Sequence, residues 1–185
     1  MKVINLIGGP GSGKSTIASG LFYYMKINDF NVEIAREWIK SAVYEERNYP
    51  LTDGLYVLAK QNKLLNELKD KVDYVITDSP LFLPMIYQKP YSKSFRKFAI
   101  ELYNSYDNIN ILLKRNKQLK FSNIGRHQSY DEAKSIDEEI REFFCKYINT
   151  YFDCVIETKN NPENVFGADD TALELFYFIQ KNTLN

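Results

Sequence analysis

At 185 residues, the chain is long enough for one substantial hydrophobic core and too short for two full domains. Apolar residues make up 44% and charged residues 26%, which excludes a disordered or fibrous chain, and no apolar run approaches the ~20 residues of a membrane span. Basic and acidic residues balance at 24 each, while the single histidine, His127, and the two cysteines, Cys145 and Cys154, exclude a His-rich metal site, a zinc pair and a disulfide framework.

Strand and helix signals alternate along the chain. Val3-Ile4-Asn5-Leu6-Ile7 is a short apolar strand. Gly8-Gly9-Pro10-Gly11-Ser12-Gly13-Lys14-Ser15-Thr16 follows it and satisfies G-x-x-x-x-G-K-[ST], and a helical pattern over residues 14–28 comes next. Glycines let the backbone wrap an anion with its N–H groups pointing inward, and the helix N-terminus adds partial positive charge. Gly9, Gly11, Ser12, Gly13, Lys14, Ser15 and Thr16 are therefore candidate nucleotide ligands. Lys14 reaches the β- and γ-phosphates, and Ser15 takes a Mg²⁺ ion. A plain Gly-rich turn is the alternative, and the full strand–loop–helix context argues against it.

Phe30 to Ala35 reads as a second strand, followed by Arg36-Glu37 and a helix to Tyr44. A carboxylate at Glu37 suits the removal of a proton from an acceptor hydroxyl, and an arginine beside it steadies a phosphate. The alternative is a helix start that favours glutamate. Thr52-Asp53-Gly54 opens a long helix to Asp70, and Tyr74-Val75-Ile76-Thr77 is a third strand that ends at Asp78. In the context of the loop, Asp78 is a second candidate Mg²⁺ ligand and catalytic carboxylate; capping of the next turn is the alternative.

A helix over Lys93 to Asp107 precedes the fourth strand, Ile109 to Leu113. Lys114-Arg115-Asn116-Lys117, Lys120 and Gly125-Arg126 then form a basic, polar stretch. This reads as a lid over residues 115–128, in which Arg115 and Arg126 hold phosphate oxygens through their forked donors. The remaining elements are a helix from Tyr130 to Ile148 with a capping box at Ser129 and Glu132, a fifth strand Cys154 to Glu157, and a helix from Asp169 to Gln180. Trp38, Tyr44, Phe82 and Tyr87 lie near strand ends, where they either stack on a base or pack in the core.

This alternation predicts a single α/β domain over residues 1–185, a three-layer sandwich with a five-stranded parallel sheet. Ligands then bind beyond the carboxyl ends of the strands. Charge is unevenly spread: from Ser79 to Arg126 there are nine basic residues against two acidic ones, so this stretch carries +7 and the rest −7. The imbalance suggests an anionic ligand, with a lysine-rich solvated surface as the alternative. Charged and polar residues interrupt the first strand, so no secretory signal is expected, and reduced cysteines fit a cytoplasmic setting.

The loop, the run Ala35-Arg36-Glu37-Trp38-Ile39, the strand end Val75-Ile76-Thr77-Asp78 and the basic stretch resemble small P-loop kinases of nucleosides and nucleotides. The nearest likeness is to the ribosylnicotinamide kinase-like group, which includes AAA-type ATP-binding proteins of bacteriophages, and it covers roughly residues 2–160. The resemblance implies a P-loop NTPase fold, ATP and Mg²⁺ as cofactors, and phosphoryl transfer to a small acceptor. In the similar deoxynucleoside kinases a carboxylate after the second strand acts as base, which matches Glu37. Those enzymes carry Glu-Arg-Ser after the third strand, where this chain has Asp78-Ser79-Pro80.

Three functions follow as expectations. The first is a Mg·ATP-dependent kinase of a nucleoside or nucleotide. The second keeps the chemistry and moves the acceptor hydroxyl onto DNA, as a modified base or a strand end; a polyanion would engage the +7 stretch. The third is a regulatory nucleotide-binding ATPase. A GTPase is disfavoured, because Asn116-Lys117-Gln118-Leu119 lacks the final Asp of a guanine-reading run. No membrane partner is expected, and an oligomer is compatible with each reading.

Overall fold

A computed structural model describes residues 1–36, 53–87, 92–116, 129–148, 150–159 and 167–183. Five strands are present: β1 (Lys2–Ile7), β2 (Val32–Ala35), β3 (Tyr74–Thr77), β4 (Asp107–Lys114) and β5 (Cys154–Glu157). They form one parallel sheet in the order β2-β3-β1-β4-β5. The helices are α1 (Lys14–Ile27), α2 (Gly54–Leu68), α3 (Pro84–Tyr87), α4 (Lys93–Asn104), α5 (Tyr130–Phe143) and α6 (Gly167–Thr183).

The inner strands β1 and β3 and the second half of β4 are buried on both faces, which is why they read as nearly unbroken apolar runs. Ile4, Leu6, Ile76, Ile111 and Leu113 face α1 and α6, where they meet Ile17, Leu21, Met25, Leu175 and Phe176. Val3, Ile7, Val75 and Leu112 face the opposite layer, built from Leu58, Phe82, Tyr103, Ile140 and Phe144. The expected three layers are thus observed.

Most expected elements are present with shifted ends. β4 extends beyond residues 109–113 because its register with β1 starts at Lys2 opposite Asp107. β2 begins at Val32, since Phe30 turns its ring onto Tyr74 and Phe176 instead of joining the sheet. The helix expected from Tyr130 to Ile148 changes character at Phe144, where a π-turn runs to Ile148. The short helix α3 was not expected; proline at its first position needs no helical N–H partner. The expected helix from Arg36 to Tyr44 and the lid lie outside the described residues, except for Arg36, Arg115 and Asn116.

Caps fix where several helices start. Asp53 accepts from the Tyr56 N–H at the start of α2, and Ser92 from the Phe95 N–H at the start of α4. At α5 the expected capping box is complete, with Ser129 and Glu132 satisfying each other's backbone N–H. Hydrogen bonds from the Ser129 backbone N–H and then from its side chain hold the Glu132 carboxyl below the usual carboxylate range. No helix among the described residues is long and apolar enough to cross a membrane.

Candidate active site

The topology puts β1 in the centre, with β3 on one side and β4 on the other. β2 and β3 lie to one side of β1 and β4 and β5 to the other, so the strand order reverses beside β1 and the crevice beyond its end is the switch point where such sheets bind ligands. The register aligns Asn5 with Thr77 and Ile7 with Leu112, which brings the loop after β1, Asp78 after β3 and Arg115 after β4 to one end of the sheet.

The loop from Gly8 to Gly13 turns on two left-handed residues, Gly11 at φ 76° and Gly13 at φ 90°. A side chain at either position would be strained. Gly13 is the N-cap of α1, contributes no capping side chain, and no acidic residue occupies the first turn. The positive end of α1 therefore faces the loop without a protein carboxylate on that turn, the arrangement that suits an external phosphate.

Lys14 folds its ammonium over the loop and donates to the carbonyls of Gly8 at 2.7 Å and Gly9 at 2.8 Å. Ser15 donates its hydroxyl to the Asp78 carboxylate at 2.6 Å. Asp78 is buried and Ser15 half-buried. Hydroxyl and carboxylate oxygens are the hard donors that Mg²⁺ takes, so the pair fits the ion that an ATP phosphate chain would bring. Thr16 is exposed, and Ser12 is buried with its Oγ unpartnered among the described residues.

The β3 end is held from below. Gln61 donates to Thr77 Oγ1 at 3.2 Å, and the Ser79 N–H donates to the same oxygen at 3.1 Å. Sequence reasoning missed Gln61. The available signal was its place on the apolar face of α2, between Leu58 and Leu65.

Arg115 is largely buried at the loop's rim. Its Nε donates to Asp137 Oδ2 at 2.9 Å, and its Nη2 donates to the Pro10 carbonyl at 2.6 Å. The Gly9 N–H donates to Asp137 Oδ1 at 2.7 Å. Gly9, expected as a nucleotide ligand, has its N–H turned to this carboxylate in the structure. Asp137 was also missed, because nothing local separates it from the other acids of α5. A groove of about 910 Å³ runs beside this contact, with Gly8, Lys114, Arg115, Tyr130 and Lys134 in its walls.

Glu37 and Arg126 lie outside the described residues, as do Trp38, Tyr44, Lys89, Lys117, Lys120 and His127. Arg36 follows β2 and is exposed. Phe82 is core: it is fully buried, stacks on Phe143 and meets Tyr103 edge-on. Arg96 donates to Tyr147 Oη at 2.8 Å and lies over that ring, while Lys97 faces Glu101 at 3.7 Å. No cluster of three or more His, Cys, Asp or Glu side chains suited to a metal occurs among the described residues.

Solved structures with this fold include thymidylate kinase from Ehrlichia chaffeensis, with TM-score 0.59 and 20% identity, covering 97% of this chain and 98% of that one. Shikimate kinase from Acinetobacter baumannii gives 0.56 and 16%, covering 99% and 95%. Shikimate kinase from Aquifex aeolicus gives 0.53 and 20%, covering 100% and 99%. At these identities the likeness is one of fold. A comparison with curated proteins finds no match. The family model described as AAA domain matches residues 3–161, which contain the loop and the ends of all five strands, and the chain belongs to that family.

Proposed function

We propose that this protein is a Mg·ATP-dependent phosphotransferase whose acceptor is a nucleoside or a nucleotide. The carrying observation is the 2.6 Å contact between Ser15 and Asp78 beside Lys14. It joins the start of α1 to the end of β3, 63 positions apart, into one oxygen-donor pair at the mouth of the phosphate loop. Solved structures sharing the fold include a thymidylate kinase and shikimate kinases, chains of nearly the same extent, which supports the same class of chemistry.

In this reading the loop amides and Lys14 hold the β- and γ-phosphates, and Ser15 and Asp78 hold the ion. Held there by Ser15 and Asp78, Mg²⁺ would supply positive charge against the negative charge of the phosphates. The chain's own groups supply position and proton handling. Arg115 and Arg126 hold phosphate oxygens through their planar forks. Glu37, just beyond the end of β2, takes the acceptor's proton. The roles of Glu37 and Arg126 rest on their places in the sequence. A cytoplasmic setting, with ATP at hand, suits this chemistry.

A free acceptor is favoured over DNA by the use already made of the basic stretch. Arg96 is turned onto the Tyr147 ring and Lys97 faces Glu101, so two of the cations that a DNA backbone would engage already have protein partners. The test is transfer of label from γ-labelled ATP to a panel of nucleosides, monophosphates, ribosylnicotinamide and DNA with modified bases. Transfer to a free nucleoside or nucleotide supports the proposal. Transfer to DNA alone, or hydrolysis with no acceptor that depends on a protein partner, overturns it in favour of the second or third reading.

A further inference from the structure

Gly9 is not required by the phosphate-loop motif, whose fixed glycines are Gly8 and Gly13. Its neighbours explain it. A Cβ at Gly9 would lie 2.4 Å from Asp137 Oδ1 and 2.9 Å from the Ala133 carbonyl. The first turns of α5 therefore rest directly on the loop, and the missing side chain at residue 9 lets them approach. Asp137 uses that approach twice. One oxygen accepts from the Gly9 N–H at 2.7 Å, and the other accepts from Arg115 Nε at 2.9 Å. The guanidinium then closes the circuit on the Pro10 carbonyl at 2.6 Å. The ion pair is sheltered, with side-chain exposures of 9% for Arg115 and 16% for Asp137.

We propose that Asp137 is the positioning residue of this site: it fixes the outer wall of the phosphate loop through Gly9 and sets the orientation of Arg115 through its other oxygen. The inference rests on the phosphotransferase reading and assigns a task within it. A carboxylate close to a phosphate site is repulsive unless a cation neutralises it, and here Arg115 does so. With Asp137 Oδ2 and the Pro10 carbonyl accepting from its fork, Arg115 is held in one orientation at the loop's rim. Such preorganisation matters most where charge develops during transfer, since a donor already in place needs no rearrangement then. Small misplacements of a positioned group cost large factors in rate.

The two oxygens can be tested separately. Asp137→Asn keeps an oxygen for the Gly9 N–H and loses the charge that orients Arg115. Asp137→Ala loses both. The full-length protein is assayed for phosphoryl transfer from Mg·ATP, to water or to an added acceptor, for the Mg·ATP dissociation constant by calorimetry, and for thermal melting without nucleotide. Asp137→Asn should lower kcat by roughly tenfold or more with little change in Mg·ATP affinity. Asp137→Ala should also weaken Mg·ATP binding, because the loop wall is released. In an Arg115→Gln background, Asp137→Asn should add no further loss, because its effect passes through the arginine.

A purely structural role would move the melting curve and leave kcat of the folded protein intact. Unchanged kcat in folded Asp137→Asn overturns the proposal, as do losses that multiply independently in the double variant. If Asp137→Asn does not fold, Asp137→Glu serves, since it retains charge but is one methylene too long for the Gly9 contact. Failure of the wild-type protein to bind Mg·ATP would instead overturn the phosphotransferase reading itself. Normal wild-type binding and transfer with an inert Asp137 would overturn only this inference.

Discussion

Single residues carry the geometry that makes the loop receptive to an anion. Gly13 adopts φ 90° one residue before α1, so a Cβ there meets left-handed strain of roughly 1–2 kcal/mol. Gly13→Ala should lower the melting temperature and weaken Mg·ATP binding, which melting curves and calorimetry on the same sample would show. The oxygen pair gives a second expectation at this scale. Ser15→Ala and Asp78→Asn should each raise the Mg²⁺ concentration needed for half-maximal transfer, by roughly tenfold or more. Mg²⁺ titrations at saturating ATP check it, and an unchanged requirement in both variants would remove the pair from the ion site. Lys14, Ser15 and Asp78 were legible in the sequence because a motif and a strand end both mark their places. Asp137 was not, since its partner Gly9 lies 128 positions away and the surrounding helix is rich in acids.

At the scale of elements, close contacts between layers decide which residues can change. Gly20 sits within α1, where alanine would normally gain ~1 kcal/mol in helix propensity. A Cβ there would stand 2.8 Å from Ala172 Cβ on α6. Neither atom can swing away, so overpacking of roughly 1–3 kcal/mol outweighs the gain. Gly20→Ala should therefore lower the midpoint of chemical unfolding, and adding Ala172→Gly should restore much of it. Strands and helices were legible from alternating apolar runs and from caps such as Ser129. Polar groups buried in strands were less so. Asn5 lies opposite Asn110 in the β1–β4 register, and Asn110 Oδ1 accepts from buried Tyr103, a pairing visible only once the strands are aligned. Burial, with the charge of Asp153 added, raises the Tyr103 hydroxyl far above its ordinary value of 10.0. The folded state thus keeps a proton that the unfolded chain releases near pH 10, so this contribution is intact below pH 10 and is lost as pH rises beyond it. Tyr103→Phe should flatten the alkaline limb of the stability–pH profile and cost about 1 kcal/mol at neutral pH, because Asn110 loses a donor.

Across the whole molecule, one sheet order turns distant segments into a site. With β1 between β3 and β4, the phosphate loop, Asp78 and Arg115 share one end of the sheet although the sequence separates Gly8 from Arg115 by more than half its length. The alternation of elements made the sheet legible. The partners of the basic stretch were not, because charge counting treats Arg96 and Arg115 alike, whereas folding commits one to Tyr147 and the other to Asp137. In the proposed function, loop, lysine and oxygen pair together form a Mg·ATP centre. Its most direct test is calorimetric titration of ATP into the wild-type protein and Lys14→Ala, each with Mg²⁺ and with a chelator, alongside melting curves. The wild type should bind ATP tightly and only with Mg²⁺, and binding should be nearly lost in a Lys14→Ala variant that melts as the wild type does. Equal binding by a folded Lys14→Ala variant, or wild-type binding indifferent to Mg²⁺, would contradict it.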